Sequence, residues 1–195
     1  LNLYAGIGGN RAKWQGVTVT AVEMEKNIAA VYAANFPEDT VVIGDAHEFL
    51  RLNFKEFDFI WTSPPCQTHS AMAKATRHDL NNYPDLSLYQ EIIFLQNYFK
   101  GRFVVENVVP YYQPLIRPSV KIGRHLFWCN FDILPIKLKS FPNMINTGTV
   151  ADANRMKDWL GIHYEGNLYY RENHCPGQIL RNCVHPDLGQ HILNE

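Results

Sequence analysis

The chain has 195 residues, a formal net charge of −1, 46% apolar residues and 19% charged residues. That is enough for one globular domain with a real core and too little positive charge for a dedicated non-specific nucleic-acid binder. It holds no apolar run near the roughly 20 residues of a membrane span. Four widely spaced cysteines without a C-x-x-C pair argue against a disulfide framework and for a reducing cytoplasm. The apolar start is broken at once by Gly6, Gly8, Gly9 and Arg11, so no signal peptide is expected. The first residue is not Met and the chain opens on a strand-like run, so a few native residues are expected to precede it.

In chain order, Leu1 to Tyr4 reads as a short strand ending in a glycine turn, and Arg11 to Gln15 as a short helix. Val17 to Val22 is strand-like. Glu25 to Asn35 carries Ile28, Val31 and Tyr32 at helical spacing and stops before Pro37. Val41 to Ile43 and Phe57 to Trp61 are expected as short buried strands, the second ending at Ser63-Pro64-Pro65. Leu86 to Phe99 is an amphipathic helix closed by Gly101, and Phe103 to Val105 is the next strand. This alternation predicts an α/β fold: a doubly wound, mostly parallel sheet with helices on both faces. Beyond it, Tyr111 to Ser119 reads as a loop, Leu126 to Ile133 as a strand and Pro135 to Val150 as irregular. Ala151 to Leu160 can form a helix with Asp152 as its cap. Val184 to Leu193 is a final helix with Pro186 in its first turn.

Three strand ends carry candidate chemistry. The turn Tyr4-Ala5-Gly6-Ile7-Gly8-Gly9 joins a strand to a helical segment, where glycines permit a tight turn and close approach of a ligand. Glu23, ending the second strand, can accept hydrogen bonds from ribose hydroxyls, and Asp45 can meet an adenine amino group. Gly-x-Gly-Gly is not the dinucleotide fingerprint, and a tight turn without a ligand fits it as well. Thr62-Ser63-Pro64-Pro65-Cys66-Gln67 follows a buried strand. Its two prolines fix the backbone and aim the cysteine at the ligand crevice, where a thiolate is a strong nucleophile. A lone cysteine is otherwise a small buried apolar group. Glu106, in Val104-Val105-Glu106-Asn107-Val108, ends another buried strand and needs a partner there. A cysteine and a glutamate at neighbouring strand ends suggest a nucleophile and an acid.

These segments together resemble the DNA cytosine-C5 methyltransferases. Leu3 to Gly9, Ser63 to Gln67 and Glu106 to Val108 occur in that family's order and approximate spacing. More loosely, Gly123-Arg124-His125-Leu126-Phe127-Trp128 is similar to its arginine strand, Arg155 to Gly161 to its penultimate helix, and Arg181-Asn182-Cys183-Val184 to the segment closing the cofactor pocket. The resemblance implies that S-adenosylmethionine binds at Tyr4, Ala5, Gly6, Gly8, Gly9, Glu23, Met24, Asp45, Ala46, Pro65, Asn182 and Val184, leaving S-adenosylhomocysteine as product. It implies that Cys66 attacks C6 of cytosine, that Glu106 holds or protonates N3, and that Arg124 contacts the O2 edge of the base. It also implies that the base is flipped out of double-stranded DNA, with Ser63, Pro64, Gln67, Asn107 and Val108 around it. The loop from Thr68 to Asn82 would close over the base and set His69, Lys74, Arg77 and His78 against phosphates. The resemblance assigns no residue to removal of the C5 proton.

The sequence departs from the family in four places. Asn2 stands where an Asp is usual. Aligned on Arg124, the strand that normally carries a Gln and a second Arg has Val120 and Ile122. Ser63-Pro64-Pro65 also resembles the signature of amino-group DNA methyltransferases, with Cys66 in place of their aromatic residue. The long target-recognition region shrinks to 135–150, between a catalytic and cofactor-binding core at 1–134 and completing helices at 151–195. Lys137, Lys139 and Asn143 would serve phosphates and one base. The expectation is a small phage- or bacterial-type member with short or relaxed specificity, or one relying on a recognition partner or homo-oligomer. Its setting would be the cytoplasm, without a membrane, and restriction-modification is one possible role. The rivals are an RNA cytosine-C5 methyltransferase, since one branch of the family methylates a transfer RNA, and a non-catalytic accessory subunit that binds cofactor or DNA. A zinc site from His174, Cys175, Cys183 and His185 matches no common module, so no metal is expected. The pair Tyr111-Tyr112 is expected to pack rather than to stack on a base.

Overall fold

The computed structural model describes residues 1–70, 83–138, 141, 149–169 and 175–195. Its strands are β1 (Asn2–Leu3), β2 (Thr20–Glu23), β3 (Thr40–Ile43), β4 (Phe59–Thr62), β5 (Arg102–Val108), β6 (Val120–Ile122) and β7 (His125–Cys129). Its helices are α1 (Lys26–Asn35), α2 (Ala46–Asn53), α3 (Ser87–Tyr98), α4 (Val150–Leu160), α5 (Gln178–Arg181) and α6 (Pro186–Asn194), with a 3-10 turn at Phe54–Glu56. The strands form one seven-stranded sheet in the order β3-β2-β1-β4-β5-β7-β6. Pairs β2/β3 and β4/β5 are parallel, whereas β7 runs antiparallel to β5 and to β6. This is the α/β architecture that the alternation of elements predicts, with an antiparallel edge.

Chain contacts divide the molecule into two compact units. The first holds 47–137 with Leu1 and Leu3; the second holds 4–46 and 138–195 with Asn2. The first is built on β4 and β5, whose residues are almost all buried. Trp61 packs edge-on against Phe127, and Tyr89 of α3 against Trp128. The α3 face carrying Leu88, Ile92 and Leu95 is fully buried, as its three-to-four-residue spacing requires.

The second unit packs Ile7 and Ile28 with Met156, Leu160, Ile162, Ile179 and Leu180. Helix α4 starts on a capping box. The Thr149 side chain accepts from the Asp152 N–H, and Asp152 answers the Thr149 N–H. It ends on Gly161 in the left-handed conformation. Thr149 is therefore the cap and Asp152 its partner three residues on, which corrects the expectation. Helix α6 opens on His185, which accepts from the Asp187 N–H, with Pro186 in the first turn as expected.

Three other expectations change. Arg11 to Gln15 forms no helix: Arg11 N–H reaches Gly8 O and Trp14 N–H reaches Arg11 O, a pair of turns. Val41 to Ile43 belongs to an edge strand, with Ile43 exposed. Helix α2 was missed because its polar surface (His47, Glu48, Arg51, Asn53) reads as loop, although Phe49 and Leu50 lie on its inner side.

Candidate active site

In the second unit, β1 runs into a turn of unusual backbone. Tyr4, Gly6 and Gly8 all have positive φ, and Tyr4 is the non-glycine residue that does so. Added side-chain carbon at Gly6 would meet open space, at Gly8 the Phe36 ring, and at Gly9 the Cys183 Cβ and the Val184 carbonyl at 2.7 Å each. Glycine at Gly9 therefore lets the segment before α6 lie directly against the turn. The Gly6 N–H donates to Glu23 Oε2 at 2.9 Å and the Glu25 N–H to Oε1 at 3.0 Å. Burial raises the Glu23 carboxyl above its ordinary range, while the backbone N–H groups of Glu25, Gly6 and Met24 act to lower it. The acid at the end of β2 is thus fixed toward the glycine turn. Ala46 is buried at the start of α2 and Val184 is buried; Met24, Asp45 and Asn182 are exposed.

Two side-chain networks hold this turn, and sequence reasoning named neither. Asn10 donates to Asn2 Oδ1 at 2.8 Å and Asn2 to Asn10 Oδ1 at 3.4 Å, both buried. An aspartate at position 2 could accept from Asn10 but not answer it, so Asn2 is matched to its partner. Arg11 grips Asp39 through Nε and Nη2 at 2.8 Å each and donates to Trp14 O. The Tyr32 hydroxyl donates to the same carboxylate at 2.8 Å.

In the first unit, β4 and β5 pair with Thr62 beside Val105, which brings the turn from Ser63 to Gln67 and Glu106 to the same end of the sheet. The Asn107 side chain donates to Pro64 O and accepts from the Val108 N–H. Asn107 and Pro64 are buried and bonded to one another, which ties β5 to the turn that carries Cys66. Ser63 Oγ accepts from the Trp61 indole at 2.9 Å. The N–H groups of His69 and Ser70 both reach Cys66 O, so the chain curls around the cysteine. Beneath it lies an unanticipated cluster. Glu91 of α3, fully buried, accepts from the Thr62 hydroxyl at 2.6 Å and meets His47 Nδ1 at 3.1 Å.

Cys66 is half-buried, as are Pro65 and Gln67. Burial pushes its thiol up to about 11; the Glu106 charge adds to this and the Arg124 charge opposes it. Arg124 is exposed, in the turn between β6 and β7, and its carbonyl accepts from the Val109 N–H. The partner of Glu106 is its neighbour: His125 Nδ1 lies 2.5 Å from Glu106 Oε1, both side chains buried. Strand alternation could have found this residue, because His125 shares a face with Phe127, which pairs with Glu106.

His69 departs from expectation. It is 1% exposed and its Nδ1 bonds the Tyr112 hydroxyl at 2.6 Å. Burial lowers its basicity, so a neutral, enclosed ring stands where a phosphate contact was expected. Tyr112 also receives the Tyr89 hydroxyl and lies edge-on to Tyr111, so this pair packs. Lys74, Arg77, His78, Lys139, Asn143 and His174 fall outside the described residues; Lys137 is exposed. Among the described residues no three His, Cys, Asp or Glu side chains gather as metal ligands. Cys175 accepts from Arg181, and Cys183 donates to Ile179 O.

The α/β chain, through the run that holds these strand ends, matches a family of methylases. A model of the C-5 cytosine-specific DNA methylases matches residues 1–111, more than half of the chain, and the chain belongs to that family. It is 31% identical over 125 residues to the type II methyltransferase M.BanI of Aneurinibacillus aneurinilyticus, covering 52% of this chain and 28% of that protein. It is 27% identical over 107 residues to a bifunctional methyltransferase of Rickettsia conorii, covering 55% of this chain and 19% of that one. The chain thus spans less than a third of either relative. Among solved structures it is similar to a DNMT2 mutant of Spodoptera frugiperda, with TM-score 0.44 and 22% identity over 66% of this chain and 48% of that one. No helix among the described residues is long and apolar enough to cross a membrane.

Proposed function

We propose that this chain methylates C5 of cytosine in DNA through a covalent bond between Cys66 and C6 of the base. The observation that carries the reading is the placing of the Cys66 thiol within the electrostatic reach of Glu106 and Arg124 at the ends of paired strands. S-adenosylmethionine supplies the methyl group. The glycine turn from Tyr4 to Gly9 fits such a ligand, because it is open at Gly6 and faces a fixed carboxylate at Glu23. Met24, Asp45, Ala46, Pro65, Asn182 and Val184 complete the proposed set.

Cys66 adds to C6 as the thiolate, which at neutral pH is scarce. The positive charge of Arg124 favours it, and Arg124 is the residue proposed to meet the O2 edge of the base. Glu106 gives N3 a proton as charge develops there. A base in a duplex cannot reach a half-buried thiol, so it leaves the stack. Lys74, Arg77, Lys137 and Lys139 are the proposed phosphate contacts, and the short stretch 135–150 implies short or relaxed specificity or a recognition partner. The proposed setting is the cytoplasm.

The test is trapping on 5-fluorocytosine, which stalls the enzyme after methyl transfer. DNA carrying it, incubated with the protein and S-adenosylmethionine, is expected to yield an adduct at Cys66 by peptide mass spectrometry and none with Cys66→Ser. An adduct with matched RNA alone would make the substrate RNA. No adduct with either would leave an accessory, non-catalytic subunit. Bisulfite sequencing of methylated plasmid reads the target; strict methylation of one site of four or more base pairs without a partner would overturn the relaxed-specificity proposal.

A further inference from the structure

At the starts of β4 and β5, in the unit that carries Cys66, lies a cavity of about 790 Å³. Phe59 pairs with Arg102 there, and Glu106 stands further along β5, about 13 Å away at the rise of a strand. Backbone contacts tie the frame. The Arg102 N–H donates to Asp58 O at 3.0 Å, and side-chain carbon at Gly101 would meet that same oxygen at 2.3 Å. Glycine therefore lets the segment after α3 lie against the residues before β4. The Asn130 side chain closes the frame: it donates to Gly101 O and accepts from the Phe103 N–H.

This frame gathers three cations. Lys55 and Lys100 are exposed, and the guanidinium of the half-buried Arg102 lies over the Phe131 ring at 4.1 Å. None of the three pairs with a carboxylate among the described residues. Arg102 Nη2 is buried and makes no hydrogen bond among the described residues. Burying a charged donor without an acceptor costs free energy, and an anion set beside it lowers that cost. Asp58 is the one carboxylate in the lining, so the cavity carries an excess of positive charge in a chain whose net charge is −1.

The walls are aromatic, from Phe54, Phe57, Tyr98 and Phe99. Phe99 is buried, and Phe54 is engaged by the Phe94 ring and the Lys55 ammonium. Tyr98 is 64% exposed, so it is open to a ligand. A bare inorganic anion would leave these walls unused, and the volume is that of a small-molecule site. A flat ring for Tyr98, an anion for the cations and a hydroxyl for Asp58 together describe a nucleotide.

We propose that this cavity is a second binding site, for a nucleoside monophosphate, free or at the phosphorylated end of a single strand. Lys55, Lys100 and Arg102 take the phosphate, Tyr98 stacks on the base, and Asp58 accepts from a sugar hydroxyl. The proposal is separate from the methyl-transfer reading, since none of these residues belongs to the set proposed there.

The probe is thymidine monophosphate, which carries neither the cytosine of the proposed methyl acceptor nor the adenine of the proposed donor. Titration calorimetry on the full chain compares it with thymidine and with inorganic phosphate. It is expected to bind about 10-fold or more tightly than either. The double variant Lys55→Ala/Lys100→Ala should weaken it about 10-fold or more. Tyr98→Ala should weaken it about fivefold or more without changing the affinity for inorganic phosphate. No binding, equal binding of thymidine monophosphate and inorganic phosphate, or binding that the lysine pair does not affect overturns the proposal. A short oligothymidylate with a 5′-phosphate separates the two sources: tighter binding than the mononucleotide makes the ligand a strand end, and equal or weaker binding makes it the free nucleotide. Should the variants fail to fold, lysine acetylation of wild type decides: thymidine monophosphate should shield Lys55 and Lys100, and no shielding overturns the proposal. Trapping at Cys66 keeps the two claims apart. An adduct without nucleotide binding removes only the second site, whereas nucleotide binding without an adduct removes only the methyl-transfer reading.

Discussion

Replacing Glu106 with glutamine should make Cys66 more reactive toward a small alkylating agent even as it abolishes methyl transfer. The Cys66 thiol titrates near about 11 against an ordinary 9.0, burial being the larger cause and the Glu106 charge the next. That difference means about 100-fold less thiolate at neutral pH than an ordinary cysteine holds. Glutamine removes the like charge and leaves the burial, so the midpoint should fall but stay above 9.0. Arg124→Gln should move it the other way, because that guanidinium favours the thiolate. The assay is the rate of iodoacetamide labelling from pH 7 to 11.5, with the Cys66 peptide read by mass spectrometry. Wild type should show about a tenfold rise per pH unit up to about pH 10. Stability follows the same ionisation. The folded thiol titrates above the unfolded one, so its contribution is intact below pH 9 and is lost as the pH rises toward 11. A wild-type midpoint at or below 9.0, or a rise in midpoint in Glu106→Gln, would refute this account of the site.

Two further expectations concern the glycine turn. Gly9→Ala places carbon 2.7 Å from Cys183 Cβ and the Val184 carbonyl, an overpacking that should cost about 1–3 kcal/mol. A lower Tm by scanning fluorimetry and weaker S-adenosylmethionine binding by calorimetry should appear together; an unchanged Tm would show that the segment before α6 moves freely. Arg11→Met leaves the Asp39 carboxylate, 1% exposed, without its charged partner. The loss should be about 3–5 kcal/mol by urea denaturation, and one below about 1 kcal/mol would mean that water reaches Asp39.

The candidate strand ends were legible in sequence because each couples a local backbone requirement to a chemically distinctive side chain. A glycine turn, a proline pair and an acid closing an apolar run are short-range signals. What was hidden was long-range. Asn2 with Asn10, Arg11 with Asp39 and Thr62 with Glu91 pair residues that only the fold brings together, and each residue alone reads as ordinary polar surface. His125 was missed for a subtler reason. The adjacent arginine carries the family resemblance, yet β7 alternates, and the histidine, two residues before Phe127 on the same face, is the one bonded to Glu106. Arg11 to Gln15 failed as a helix because its polar groups satisfy one another in turns. For the edge strand β3, apolar composition alone could not distinguish a covered strand from an uncovered one.

The two compact units differ in how the ribosome delivers them. Almost all of the unit that carries Cys66, Glu106 and His125 is one continuous run, 47–137, whereas the unit that carries the glycine turn joins 4–46 to 138–195. Gly9 rests on Cys183 and Val184, and Gly189 of α6 lies against the Asn10 backbone. During synthesis the glycine turn therefore emerges before the run 47–137 and must wait for Cys183, Val184 and Gly189, which follow that run, before its packing exists. A ribosome-stalled chain ending before α5 would carry the whole run around Cys66 and a glycine turn still without its packing, so the order of translation itself separates the two candidate strand ends in time.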